Sequence, residues 1–230
     1  MRVTSLNLRG FFDWQARVPR IEAYLRQADP DVILFQEVVF LPEVSPYTPA
    51  DLLNRRLQYP FRHGSVTRLQ VGRQFPVYRE GLALLSRLPV PTTEALALRH
   101  EEGDPHQRIV QLFDVQEDGQ LWRFADVHLS VKDEFAINHL KELLGILDAR
   151  GERRILGGDF NVNHLERQAR LWRDHYVLTT QVQQYVSYEA TQQANDYFLV
   201  PNEYRIDAIQ LSGDDLSDHR ALTVDVTRAE

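Results

Sequence analysis

The stretch Arg154-Ile155-Leu156-Gly157-Gly158-Asp159-Phe160-Asn161 joins a short apolar run to two polar side chains. Ser217-Asp218-His219 forms a second polar signature near the C-terminal end, and Arg205-Ile206-Asp207-Ala208-Ile209 lies between the two. Each signature follows or interrupts a β-type run, so together they place three carboxylates, an amide and an imidazole at strand ends. Proteins that combine sheets with helices commonly build their sites at such positions. These groups are suited to holding a hard divalent cation, activating a water and attacking a phosphodiester.

The composition is that of one large globular domain. The chain has 230 residues, of which 43% are apolar, and we expect residues 1–230 to form a single catalytic domain. The absence of Cys excludes disulfides, thiolate metal sites and cysteine nucleophiles. No apolar run reaches transmembrane length and no leader precedes the first strand, so a soluble, cytoplasmic protein is expected. A processed secreted protein would look the same, and the oligomeric state stays open.

Strand-like runs outnumber helical ones, and many follow one another directly. The predicted strands are Arg2–Leu8, Asp31–Glu37, Leu82–Ser86, Ala95–Leu98, Arg108–Val115, Gln120–Val127, Arg154–Leu156, Arg205–Leu211 and Ala221–Val226. The predicted helices are Val18–Gln27, a short one from Thr48-Pro49 to Leu57, Asp133–Ala149 and Leu165–Asp174. A uniform alternation of strand and helix is therefore not expected. The pattern predicts an α/β protein with two mixed sheets packed face to face and helices outside.

Four polar residues lie next to predicted strands, and each has an ordinary explanation. Asn7 can cap a turn, and Glu37 can be the first solvated residue after a buried strand; the alternative for Glu37 is a Mg²⁺ ligand. His128 ends a strand, where a lone His is more often structural than catalytic. Arg108 precedes a strand and can extend its charged head to solvent. The sequence alone leaves these alternatives open.

Asp207 and His219 stand out more clearly. Asp207 lies inside an apolar strand, where a buried carboxylate is costly without a partner. An imidazole needs an orienting carboxylate to work as an acid or base, so we predict that Asp207 holds His219. Asp159 and Asn161 can form a simple Asx turn after their strand. Alternatively, both side chains point into one site around a buried Phe160.

Seven segments, taken in order, resemble the endonuclease/exonuclease/phosphatase superfamily of Mg²⁺-dependent phosphodiesterases, which includes deoxyribonuclease I, abasic-site endonucleases, tyrosyl-DNA phosphodiesterases and neutral sphingomyelinases. The matching segments are SLN at 5–7, DVILFQEV at 31–38, EGLALLSR at 80–87, DVHLS at 126–130, GGDFN at 157–161, RIDAI at 205–209 and SDH at 217–219. They span nearly the whole chain. The fold that this resemblance implies is a four-layered α/β sandwich.

The resemblance also implies a metal centre. Glu37 would be the principal ligand of Mg²⁺, with Mn²⁺ as a substitute, and Asn7 would lie beside it. Asp218 would lie close to the metal. Asp159 would orient or deprotonate the attacking water, and Asn161 would position the water and the phosphate.

The remaining roles concern the phosphate. By resemblance, His219 would act on the scissile phosphate while Asp207 holds it. His128 and Arg108 would be phosphate contacts, His128 as a hydrogen-bond donor. Many DNA-repair members have an Asp where this chain has Arg9, which weakens a specific assignment to abasic-site enzymes.

The resemblance leaves the substrate open. A nucleic acid or nucleotide is the first expectation, a phospholipid or sugar phosphate the second, and a non-catalytic binding module on the same fold the third. Residues 51–90 hold seven Arg and only two acids, which suits a phosphate backbone or merely an ordinary solvated surface. Phe11, Phe12 and Trp14 follow Asn7, where an aromatic ring could stack on a base or pack on the first helix.

Overall fold

The computed structural model describes residues 1–43, 45–70 and 78–229. In these residues the strands are β1 (Arg2–Asn7), β2 (Val32–Phe40), β3 (Phe61–Gln70), β4 (Tyr78–Ser86), β5 (Thr92–Ala97), β6 (Ile109–Glu117), β7 (Gln120–His128), β8 (Ile155–Asp159), β9 (Tyr176–Leu178), β10 (Asp196–Pro201), β11 (Tyr204–Leu211) and β12 (Leu222–Arg228). The α-helices are α1 (Trp14–Ala28), α2 (Pro49–Leu57), α3 (Asp133–Ala149) and α4 (Thr179–Val182), and 3₁₀ helices cover Leu165–Leu171 and Glu189–Thr191.

The strands form two mixed sheets of six. The first sheet has the order β11-β12-β1-β2-β4-β3 and the second has the order β5-β6-β7-β8-β10-β9. In each sheet one pair is parallel, β1 with β2 and β7 with β8, and the others are antiparallel. The predicted pair of mixed sheets is confirmed.

Three apolar clusters define the layers. The cluster between the sheets joins side chains of both, among them Val3 and Leu34 from the first and Phe113 and Phe198 from the second. Helices α1 and α2 pack on the outer face of the first sheet. Helix α3 packs on the outer face of the second. Burial of these faces drives the layers together and gives the predicted four-layered sandwich.

Local signals worked well where capping or turn chemistry was explicit. Thr48 accepts a hydrogen bond from the Asp51 backbone at 3.1 Å, while Asp51 accepts one from the Thr48 backbone at 2.9 Å. This capping box begins α2 at Pro49, as predicted. Asp118 and Gly119 both adopt positive φ in the turn between β6 and β7, which the Asp-Gly pair predicts.

Other elements differ from expectation. The predicted helix at 165–174 is a 3₁₀ segment, Leu165–Leu171. Strands β3, β9 and β10 were not predicted, and β10 is a short, wholly buried strand that begins with Asp196. No helix among the described residues is long and apolar enough to cross a membrane.

Close packing of β7 against β8 brings site residues together. Gly158 has φ 141°, and a Cβ at this position would lie 2.0 Å from the Val127 carbonyl oxygen, so only glycine fits. The register then places His128 beside Asp159 across the parallel pair. On the other side, the antiparallel register places Asp196 beside Asp159. Three adjacent strands thus present His128, Asp159 and Asp196 in a row.

Candidate active site

A polar cavity of about 320 Å³ opens where these strand ends meet the first sheet. Most of its lining side chains are charged or can form hydrogen bonds; they are Glu37, Arg68, Arg108, His128, Val131, Asp133, Asp159, Asn161, Tyr188, Gln193, Asn195, Asp218 and His219. All the predicted site residues except Asn7 and Asp207 line it. Asn7 contacts two of the lining residues, and Asp207 lies elsewhere.

On the first sheet, Asn7 and Glu37 form one side of the site. Glu37 lies where the pairing of β2 with β4 is irregular, and its φ of 52° is in the left-handed region. Such strained backbone at a strand irregularity is common where a side chain is aimed into a site. Asn7 Nδ2 donates to Glu37 Oε1 at 3.2 Å and to Asp159 Oδ2 at 3.1 Å. Asn7 therefore joins the acidic groups of the two sheets.

Asp159 lies at the centre of the site. Its Oδ1 accepts a hydrogen bond from the Asn161 backbone at 2.9 Å, and the Asn161 amide donates to the Leu129 carbonyl at 3.2 Å. The predicted Asx turn is therefore present, and Asn161 also lines the cavity. Burial raises the pKa of Asp159 to about 6, although His219 acts in the opposite direction.

His219 lies between two buried carboxylates. Its Nδ1 is 2.8 Å from Asp196 Oδ2, and its Nε2 is 3.8 Å from Asp159 Oδ2. Burial disfavours the imidazolium, but Asp196 and Asp159 outweigh this and raise the pKa of His219 to about 10. The ring is thus held as a charged donor that faces Asp159 on one side and Asp196 on the other.

The predicted pairing of Asp207 with His219 is wrong. Asp207 lies on β11, the edge strand of the first sheet, at an irregularity between Ile206 and Ala208. Its carboxylate is on the surface, where it accepts hydrogen bonds from Arg205 at 2.6 Å and Thr227 at 2.8 Å. These surface partners lower the pKa of Asp207. An edge strand with one solvated face can carry a carboxylate without a buried site.

Asp196 occupies the position that was assigned to Asp207. It is fully buried, its backbone N–H donates to Ser187 Oγ at 3.0 Å, and its Oδ1 has no hydrogen-bond partner among the described residues. The sequence contained a usable signal, because Asp196 directly precedes the apolar run Tyr197–Val200. Asp207 also lies beside apolar strand residues. The sequence alone could therefore not decide which of the two aspartates pairs with His219.

His128 and Arg108 contribute polar groups of different charge. Burial lowers the pKa of His128 well below its ordinary value, and the positive charges of Arg108 and Arg68 act in the same direction. His128 is therefore a neutral imidazole, with Nε2 at 3.7 Å from Asp159 Oδ2. Burial also lowers the pKa of Arg108, to about 10, which leaves its guanidinium charged at neutral pH.

Asp218 connects the cavity to an exposed aromatic ring. Its Oδ2 is 3.2 Å from Arg9 Nε, and the Arg9 guanidinium lies 4.0 Å from the centre of the Phe12 ring. Phe12 is 60% exposed, whereas Trp14 is half-buried against the cluster beneath α1. Buried Arg17 donates to the carbonyls of Leu8 and Leu216, each at 2.9 Å, and so ties together the loops that carry these groups.

The donor set fits a divalent cation. Burial raises the pKa of Glu37 to about 7, and the negative charges of Glu80, Asp159 and Asp218 act in the same direction. Such crowding of carboxylates is relieved by a cation, and oxygen donors are those that Mg²⁺ and Mn²⁺ prefer. Asp159, Asp196 and His219 also offer ligand atoms within 4.8 Å of one another, so a metal ion could be held there as well.

Comparison with known proteins identifies a matching family and solved structures with the same fold. The model of the Endonuclease/Exonuclease/phosphatase family matches residues 4–219. A family protein from Leptotrichia buccalis has a TM-score of 0.78 at 16% identity, with 99% of each chain covered. The human Nocturnin catalytic domain with bound sulfate has a TM-score of 0.74 at 15% identity, covering 100% of this chain and 94% of that one. D. rerio TDP2 complexed with a single-strand DNA product has a TM-score of 0.73 at 16% identity, covering 99% and 98%.

No curated protein matches the chain in sequence. At such low identities the solved structures establish the fold alone.

Proposed function

The chain belongs to the endonuclease/exonuclease/phosphatase family, and from that premise we propose that it is a divalent-metal-dependent phosphodiesterase that acts on nucleic acid or nucleotides. The family is one of metal-dependent phosphodiesterases, nucleases and phosphatases. The observation that carries the proposal is the convergence of Glu37, Asp159 and Asp218 with His128 and His219 in one polar cavity. A non-catalytic relative has no need to keep the buried pair Asp159 and His219, which is costly, beside these further ionisable groups.

We assign the metal to the side of the cavity formed by Glu37, Asn7 and Asp218. These residues supply oxygen donors, whereas His219 is already held by Asp196 at 2.8 Å. The cation, Mg²⁺ with Mn²⁺ as a substitute, would polarise the phosphoryl oxygen and stabilise charge on the leaving oxygen. The Asp159, Asp196 and His219 group is the rival position for the metal.

The protein groups would divide the remaining work. Asp159 accepts the proton of the attacking water, and Asn161 orients the water and the phosphate. His219, held by Asp196, donates to the phosphate or the leaving oxygen. Neutral His128 donates a hydrogen bond to a non-bridging oxygen, and Arg108 adds a positive charge beside it. Preorganised donors of this kind stabilise charge that develops in the transition state.

Two observations favour nucleic acid or nucleotides over lipids. Phe12 lies exposed beside Arg9 and Asp218, so a base could stack on it at the rim of the cavity. In addition, TDP2, which shares the fold, has been solved with a single-strand DNA product.

The test is metal-dependent hydrolysis of bis-(4-nitrophenyl) phosphate with Mg²⁺ and with Mn²⁺. We expect turnover that disappears with chelator and returns with added metal. Glu37→Gln should lower metal affinity, measured by calorimetry, more than Asp196→Asn does. The reverse order would move the metal to the rival position, and absence of turnover with either metal would contradict the proposed activity.

A further inference from the structure

Two arginines of the cavity carry guanidinium nitrogens that have no hydrogen-bond partner in the part of the chain that the structure describes. Arg108 is 1% exposed, and its Nε, Nη1 and Nη2 are all unpaired among the described residues. The side chain of Arg68 is 7% exposed, and its Nε and Nη1 are unpaired. Both side chains line the same cavity as Asp159 and His219. Five buried donor nitrogens are thus available inside the candidate active site.

Buried guanidinium donors without partners destabilise the fold unless a ligand accepts hydrogen bonds from them. Buried charged groups are normally paired, and a buried donor without a partner loses its hydration without compensation. Glu80 supplies one carboxylate, which accepts from Arg68 Nη2 at 2.5 Å. It fixes the position of Arg68, whereas Arg108 has no hydrogen-bond partner among the described residues. An anion in the cavity would accept hydrogen bonds from the remaining donors.

The number and shape of the donors favour a phosphate monoester group. Guanidinium donors match phosphate oxygens in paired contacts. A terminal phosphate offers three free oxygens and a second negative charge, whereas the bridging phosphate of a diester offers two oxygens and one charge. His128, Asn161 and His219 can already donate to the two free oxygens of a diester, so the five unpaired guanidinium nitrogens of Arg68 and Arg108 exceed what a diester can accept.

We propose that Arg68 and Arg108 bind a terminal phosphate of the substrate, an inference that rests on the phosphoester-cleaving function proposed above. The substrate is accordingly a nucleotide or oligonucleotide with a phosphorylated end. The bound phosphate is either the one that is cleaved or the neighbour of the one that is cleaved, and the products tell these apart. Release of inorganic phosphate identifies the first case and release of a nucleoside monophosphate the second.

The experiment compares thymidine dinucleotides that carry a 5′-phosphate, a 3′-phosphate or no terminal phosphate. For the wild-type protein, kcat/KM for one phosphorylated form should exceed that for the unphosphorylated form by at least about tenfold, as expected for charge-assisted hydrogen bonds. Arg68→Gln should reduce this ratio toward one. Arg62→Gln, on the same strand but bonded to Asp51 at the surface, is the matched control and should keep the ratio.

Two further variants distinguish loss of phosphate recognition from loss of the fold. Arg68→Gln combined with Glu80→Gln leaves no unpaired buried carboxylate, and it should fold while still lacking the preference. Arg68→Lys keeps the positive charge but loses the paired donors of the guanidinium group. It should therefore retain only part of the kcat/KM preference for the phosphorylated substrate. A ratio near one in the wild type overturns the inference, as does an equal change in Arg62→Gln and Arg68→Gln.

Binding of inorganic phosphate keeps the two proposals distinct. If no phosphoester is hydrolysed with any metal, the proposed function fails, but the pocket is still tested by calorimetric titration with inorganic phosphate. Binding that weakens about tenfold or more in Arg68→Gln, and not in Arg62→Gln, supports the pocket. Absence of phosphate binding, or binding that Arg68→Gln leaves unchanged, overturns it.

Discussion

The charged side chains of the cavity and those on the surface of the first sheet look alike in sequence and differ completely in the structure. Asp196 and Asp207 both stand beside apolar strand residues. Asp196 is fully buried and bonded to His219, whereas the side chain of Asp207 is 29% exposed and bonded to Arg205. The difference lies in the neighbours of each strand: β10 is covered on both sides, and β11 is an edge. A carboxylate acquires a functional role from the strand order, which local sequence does not encode.

The arginines show the same contrast. Arg108 and Arg68 have buried donors without a partner among the described residues, whereas Arg62, Arg79 and Arg87 are ion-paired with Asp51, Glu43 and Asp29. The surface pairs are exposed, where such pairs contribute little to stability. The described arginines of residues 51–90 therefore do not form one basic patch. Arg73, which belongs to the same stretch, lies outside the described residues.

The largest effect should come from the centre of the cavity. We expect Asp159→Asn to lower kcat by about 10²–10⁴-fold, the usual cost of removing a positioned general base. The variant should keep its melting temperature, because the Asn161 backbone can still donate to an amide oxygen at this position. The measurement is hydrolysis of bis-(4-nitrophenyl) phosphate beside thermal unfolding. A variant that keeps more than half of the activity would refute the assigned role.

The two aspartates give the next largest effect. Asp196→Asn should lower kcat about tenfold to a hundredfold, because His219 loses the carboxylate that orients it. Asp207→Asn removes only surface bonds and should leave kcat within about twofold. Equal losses of activity in the two variants would show that Asp196 has no more part in turnover than Asp207.

A double-mutant cycle on kcat tests whether Asp196 and His219 act together. Removing both side chains should cost little more than removing one, because each acts through the other. A double variant whose loss equals the product of the single losses would show that the contact has no role in turnover. The same cycle with Asp207 and His219 should show no coupling.

The sequence predicted the fold better than the site. Capping and turn residues defined α2 and the hairpin between β6 and β7, and apolar periodicity defined α3, since these signals act within a few residues. Asn7 and Asp159 lie at strand ends, as the sequence indicated, whereas Glu37, expected at the end of the second strand, lies inside β2.

The errors arose where distant segments meet. Strand β10 is only six residues long, and nothing local shows that it pairs with β8 and brings Asp196 beside Asp159. Arg68 was counted as part of a basic stretch, although pairing of β3 with β4 places it opposite Glu80 and in the lining of the cavity. Composition does not show which charged residues pair across strands. The positions of Asp196 and Arg68 follow only from the register of the sheets.

At the rim of the cavity we expect Phe12, rather than Trp14, to contact a base. Phe12→Ala should weaken binding of single-stranded DNA by roughly 1–3 kcal/mol, the usual contribution of a stacked base. Trp14→Ala should reduce stability more than affinity, because Trp14 packs against the cluster beneath α1 and meets Phe11 edge to face at 5.8 Å. The affinity for single-stranded DNA is measured by fluorescence titration. Both substitutions are made in the Asp159→Asn protein, so that the DNA is not cleaved during the measurement. An affinity loss in Trp14→Ala alone would reverse the assignment.

The smallest effect should be the salt dependence of oligonucleotide binding. Each surface arginine of residues 51–90 that is paired with an acid brings a carboxylate that repels phosphate as the guanidinium attracts it, so these pairs release few counterions. A substrate held mainly in the cavity neutralises one or two phosphates, and the slope of log K against log salt should be roughly −0.7 to −1.4 for a single strand. Arg62→Gln combined with Arg79→Gln should leave this slope unchanged, because both side chains are engaged with Asp51 and Glu43. If the slope is instead steeper than about −3, and the double variant flattens it, then the surface arginines exchange their carboxylates for the phosphate backbone. The cavity and the surface would in that case form one continuous substrate-binding face.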